Sequence, residues 1–75
     1  MTITPRQVSE ARRLLRWSQA DLALRAQISQ SSVVRIERGV PPGDKIGIQI
    51  RRAFEFAGVE FVSGEDPGAK QRDSR

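Results

Sequence analysis

The chain has 75 residues and a net charge of +4, and it contains neither cysteine nor histidine. That length supports one domain with a small core, and the missing residue types remove disulfide scaffolds, zinc sites and Cys- or His-based catalysis. No enzymatic role, metal or cofactor is therefore expected. No apolar run approaches the ~20 residues of a membrane span, and the first residues lack a signal pattern, so a cytoplasmic protein is expected.

The first helix is expected to start at Thr4. Thr4-Pro5-Arg6-Gln7 supplies a capping hydroxyl, a proline at the first helical position and a Gln three residues after the cap, the pattern of a capping box. Val8, Ala11 and Leu15 follow at helical spacing, and Trp17 closes the segment. Ser18 caps a second helix, with Asp21 as the reciprocal capping-box residue and Leu22, Ala23 and Ala26 facing inward. Ser29 caps a third helix whose core face is Val33 and Ile36, and Gly39 suits the left-handed conformation that ends it.

Val40-Pro41-Pro42-Gly43 breaks the chain, because proline restricts the residue before it and donates no hydrogen bond. Asp44 is read as the cap of a fourth helix. Its stripe is Ile46, Ile50, Ala53, Phe54 and Ala57, with Ile48 off the stripe, Gly47 weakening the first turn and Gly58 ending it. Val59-Glu60-Phe61-Val62 is a short β-prone segment. Residues 63–75 lack apolar periodicity and read as a flexible, disordered tail. Residues 1–58 thus form the folded domain, 59–62 a short strand, and 63–75 the tail.

The third helix carries the functional signal. At about 100° per residue, Gln30, Ser31, Val34, Arg35 and Arg38 share the side opposite Val33 and Ile36. Gln pairs with adenine and Arg with guanine in bidentate fashion, Ser reaches a base or a phosphate, and an exposed Val suits a thymine methyl. Basic charge is concentrated on the folded part: residues 1–58 hold ten Lys/Arg and five Asp/Glu, whereas 59–75 hold three and four. Eleven of the thirteen basic residues are Arg, the side chain suited to phosphate and guanine. Together these point to double-stranded DNA.

The run from about Thr4 to Ala57 resembles the lambda-repressor-like helix-turn-helix domain of the Cro/cI or XRE type. The matching residues are Ser18-Gln19, Leu22-Ala23, Ile28-Ser29-Gln30-Ser31, and Val33 with Arg35-Ile36-Glu37-Arg38-Gly39. The resemblance implies an all-α, compact four-helix fold with a short C-terminal β-prone segment. It implies a DNA-binding transcriptional regulator, with Gln30, Ser31 and Arg35 at base edges and Gln19 at a phosphate. It also implies a structural salt bridge between Arg12 and Glu37. From their own positions, Val34 is expected at a base edge and Ser29 and Arg38 at phosphates.

Two departures from the family pattern stand out. Gln27 occupies the turn position where glycine is usual, so the turn is expected to be strained or differently bent. Leu24 occupies a position that is commonly polar. Pro67-Gly68-Ala69-Lys70 faintly echoes a second strand of some small regulators, but lacks the apolar residues of a hairpin. No separate effector domain is expected.

A repressor binding a palindromic operator as a homodimer is the leading reading, since one helix-turn-helix unit covers few base pairs. Val59 and Phe61 are the expected dimerisation residues, through antiparallel pairing of two copies of the short strand. The alternative is an antitoxin or interaction module that neutralises a protein partner and regulates its own operon.

Overall fold

The computed structural model describes residues 3–62 and 68–71. Four helices precede two short strands: α1 (Pro5–Leu14), α2 (Gln19–Ala26), α3 (Gln30–Glu37), α4 (Asp44–Phe56), β1 (Val59–Val62) and β2 (Gly68–Gln71).

The first three helix starts follow from their capping residues. Thr4 Oγ1 accepts from the Gln7 N–H at 3.2 Å while Gln7 Oε1 accepts from the Thr4 N–H at 2.9 Å. Ser18 and Asp21 make the same reciprocal pair ahead of α2, at 3.0 and 2.8 Å. Ser29 Oγ accepts from the Ser32 N–H at 3.2 Å ahead of α3. The fourth start differs from expectation. Gly43 is the cap, it offers no side-chain hydrogen bond, and Asp44 is the first helical residue. At that position Asp44 still faces the positive end of the helix dipole.

Three helices end on one backbone motif. In each, an N–H bonds three residues back and the next N–H bonds five back: Arg16 to Arg13 with Trp17 to Arg12, Gln27 to Leu24 with Ile28 to Ala23, and Gly39 to Ile36 with Val40 to Arg35. This Schellman closure requires a left-handed residue, which glycine adopts at least cost. Gly39 takes it at φ +116°, yet Arg16 and Gln27 take it at +57° and +59°. The turn before α3 therefore keeps its geometry, with strain rather than a different bend. Gln49 of α4 supports it from outside, donating to the carbonyls of Ala26 at 3.1 Å and Gln27 at 3.4 Å.

The helices close around Val8, Leu22, Val33, Ile50, Phe54 and Val59, all without exposed surface. Ala11, Ala23, Ala26 and Ile36 complete the buried set as expected, joined by Ile3. Trp17 stacks on Phe54 with centroids 5.6 Å apart, and Arg25 lies over the Trp17 ring at 5.2 Å. Ile48 is off the apolar stripe and half exposed.

The segment after α4 departs from the sequence reading. β1 pairs antiparallel with β2, Val59 opposite Gln71 and Val62 opposite Gly68, and β2 lies beside α1. Residues 68–71 are therefore a strand, while 63–67 and 72–75 of the expected tail lie outside the described residues. Backbone pairing needs no apolar side chains, which is why the polar composition of Gly68–Gln71 did not prevent it. Val59 is fully buried in its own core, and Phe61 packs edge-on to Phe54 at 5.9 Å. Both expected dimerisation side chains are thus used within the subunit. Such contacts form without the entropy cost of association.

The expected salt bridge is present. Arg12 Nε and Nη2 meet Glu37 Oε2 and Oε1 at 2.6 and 3.0 Å, and Nη1 donates to the Trp17 carbonyl at 2.8 Å. Both side chains are mostly buried. The hydrogen bonds that Arg12 donates to Glu37, and the charge of that carboxylate, hold the Arg12 pKa above its ordinary value, although burial acts the other way. For Glu37, burial raises the pKa. The hydrogen bonds from Arg12 and Gln19, with the charges of Arg12 and Arg13, outweigh it and leave the carboxyl below its ordinary value.

A depressed carboxyl pKa stabilises the fold above the unfolded value, and that stability is lost as pH falls through the folded value. Arg12→Ala strands a buried carboxylate and is expected to cost about 3–5 kcal/mol. In urea unfolding, the stability gap between wild type and Glu37→Gln should narrow as pH drops below the ordinary glutamate range. A gap that widens on acidification would contradict the assignment. Gly47 generates a second expectation, because a Cβ there would meet Ile3 and Pro42 at 3.8 Å, ordinary contact distance. Gly47→Ala should stabilise the domain by about 0.5–1 kcal/mol, through helix propensity, in the same measurement.

Candidate nucleic-acid interface

α2 and α3 have eight residues each. Helices this short are marginal alone, so their geometry is set by what they pack on. Val33 and Ile36 anchor α3 in the core, leaving its other side outward. On that side Gln30, Ser31, Arg35 and Arg38 are exposed and Val34 is half-buried. The five residues expected to share a face therefore do share one, and it faces solvent.

The expected phosphate-side residues fall at helix ends. Ser29 is the α3 cap, and its hydroxyl is engaged locally, 2.8 Å from Ser32 Oγ and 3.4 Å from Ser31 Oγ. Arg38 closes the helix. Gln19 opens α2, and its Nε2 donates to Glu37 Oε1 at 3.3 Å. That bond joins the start of α2 to the end of α3 on the same carboxylate that Arg12 holds. The Ser18 backbone and side-chain hydrogen bonds hold the Asp21 pKa below its ordinary value, and the nearby Arg25 charge acts the same way.

Cationic side chains predominate around α3, with Asp21 an exposed acid in the first turn of α2. Arg6 pairs with Glu10 and Arg51 with Glu55, each within its own helix. Arg13, Arg16, Arg35 and Arg38 are exposed and carry no ion pair among the described residues. Glu37, the acid between Arg35 and Arg38 in sequence, turns inward to Arg12. The outward side of α3 therefore carries cations and no acid, which suits a polyanion.

Sequence reasoning missed Gln49, Arg13 and Arg16. Gln49 left no signal, since a glutamine on a helix flank reads as solvated. The run Arg12-Arg13-Leu14-Leu15-Arg16 did leave one, in its density of arginine. Among the described residues no group of acids could hold a metal ion, and no helix is long and apolar enough to cross a membrane.

No curated protein matches the chain. A helix-turn-helix family model matches residues 8–60, from within α1 to β1. That span contains both short helices, the turn between them and the α4 packing that supports them. The chain belongs to the XRE-type, lambda-repressor-like helix-turn-helix family, and is a DNA-binding transcriptional regulator.

Proposed function

We propose that this regulator is a repressor that binds a palindromic operator as a homodimer. The observation that carries the reading is the outward face of α3, where Gln30, Ser31 and Arg35 are exposed beside a half-buried Val34. In this reading α3 enters the major groove by its N-terminal end, with Gln30 and Arg35 as the bidentate readers. Gln19, Ser29 and Arg38 hold the phosphates on either side. A homodimer doubles the recognised sequence.

A protein partner is a second reading, favoured by the large apolar side chains left outside. Leu24 is 77% exposed and Phe56 97%. Co-purification of a specific protein that releases when Phe56 is changed to a polar residue would support it.

Selection from random duplexes at two salt concentrations tests the main reading, by giving site length, symmetry and specificity together. A selected site with two-fold symmetry supports the dimer, and the absence of any enriched sequence contradicts sequence-specific binding. Arg35→Ala should relax preference at one base position of each half-site, losing about 1–3 kcal/mol of discrimination. Uniform weakening with the site unchanged would make Arg35 a phosphate contact instead. Gln19→Ala should weaken specific and non-specific duplexes alike while the salt slope stays nearly constant, because a neutral side chain releases no counterion. A changed sequence preference in that variant would remove Gln19 from the phosphate set.

A further inference from the structure

Among the described residues, Arg16 is the one arginine held in the left-handed region. It occupies the residue of the α1 closure that glycine fills at Gly39 in the α3 closure. A side chain there is crowded against its own backbone, and glycine avoids the crowding. The turn itself thus gives no reason for an arginine, and any reason lies in what the side chain meets. Within the described residues it meets no acid, and it is exposed.

The position of the turn is fixed with respect to α3. Trp17, the next residue, gives its carbonyl to Arg12 Nη1 at 2.8 Å, and the same guanidinium grips Glu37 at the end of α3. Two residues beyond Trp17, Gln19 reaches the same carboxylate at 3.3 Å. Arg13, one turn back on α1, is also exposed, and its charge is felt at Glu37. Arg16 therefore projects from a braced turn, with a second exposed cation, Arg13, one helical turn back. Next to it begins the helix whose first residue, Gln19, is assigned above to the phosphate backbone.

We propose that Arg16 is a further phosphate contact of this interface, extending the basic surface beyond the helix-turn-helix onto the α1–α2 turn. The proposal rests on the DNA-binding reading above. It has a consequence that an idle surface arginine lacks. Replacing Arg16 by glycine relieves strain and removes a cation, so stability and DNA affinity move in opposite directions.

The test uses the full chain, with a duplex carrying the selected site and a scrambled duplex of equal length. Arg16→Gly is expected to raise Tm by a few degrees. The same variant should bind both duplexes severalfold more weakly, with the magnitude of the salt slope lower by about 0.9. Arg16→Lys keeps the cation and should keep the slope. Gln27→Gly relieves the matching strain at the other end of α2, and should raise Tm with the slope unchanged. Arg52→Gln removes an exposed charge on α4 and should leave the slope unchanged, which separates a contact from a general loss of charge.

An Arg16→Gly slope equal to that of the wild type overturns the proposal, as does a changed site preference in that variant. Failure of the wild type to bind either duplex overturns the DNA reading itself, which is a separate outcome.

Discussion

One guanidinium fixes how the working parts of this domain stand relative to one another. Arg12 spends Nε and Nη2 on Glu37 and Nη1 on the Trp17 carbonyl, so α1, the α1–α2 turn and the end of α3 are joined through a single side chain. Gln19 adds the start of α2 to the same carboxylate. Apolar burial holds these helices together but is non-directional. The fork geometry of an arginine–carboxylate pair specifies orientation, and orientation is what a surface that reads base edges requires. Burying such a pair need not add net stability, so its contribution here is to geometry.

The same pair also sorts charge. Glu37 lies between Arg35 and Arg38 in sequence, and an outward carboxylate there would oppose a phosphate backbone. Held inward by Arg12, it leaves the exposed side of α3 with only cationic and neutral side chains. Core packing, helix orientation and surface potential thus meet at one residue, which makes Glu37 less replaceable than its partial burial suggests.

The legible part of this structure was the local part. Thr4, Ser18 and Ser29 announce helix starts because a cap and its target lie three residues apart, and Gly39 announces an end because glycine marks the left-handed position. Arg16 and Gln27 take that conformation without the marker. At Gln27 the family resemblance flagged a strained turn, but at Arg16 the sequence offered no warning. The outward residues of α3 were readable from helical periodicity, whereas the Arg12–Glu37 pair, 25 positions apart, came from the resemblance alone. Asp44 misled because a good capping residue stood one position inside the true start. The pairing of β1 with β2 escaped because a hydrogen-bonded ladder depends on main-chain groups, and Gly68–Gln71 has no alternating pattern to betray it. Nothing in the alternation of Val59 and Phe61 says that Val59 is buried in its own core and that Phe61 packs on Phe54.

Val59 also bears on how the domain comes to exist. It is fully buried, yet it follows all four helices in the chain. During synthesis the helix-turn-helix emerges first, with a gap where this side chain belongs and with Phe54 uncovered on the side that Phe61 later shields. Burying a valine stabilises by roughly 1.5–3 kcal/mol, a large fraction of what a domain this size possesses. A nascent chain that ends before Val59 therefore holds its recognition helix only loosely. Nucleic-acid binding is then a property of the completed domain, and a fragment released early by truncation or proteolysis would have the contact residues without the rigidity to use them.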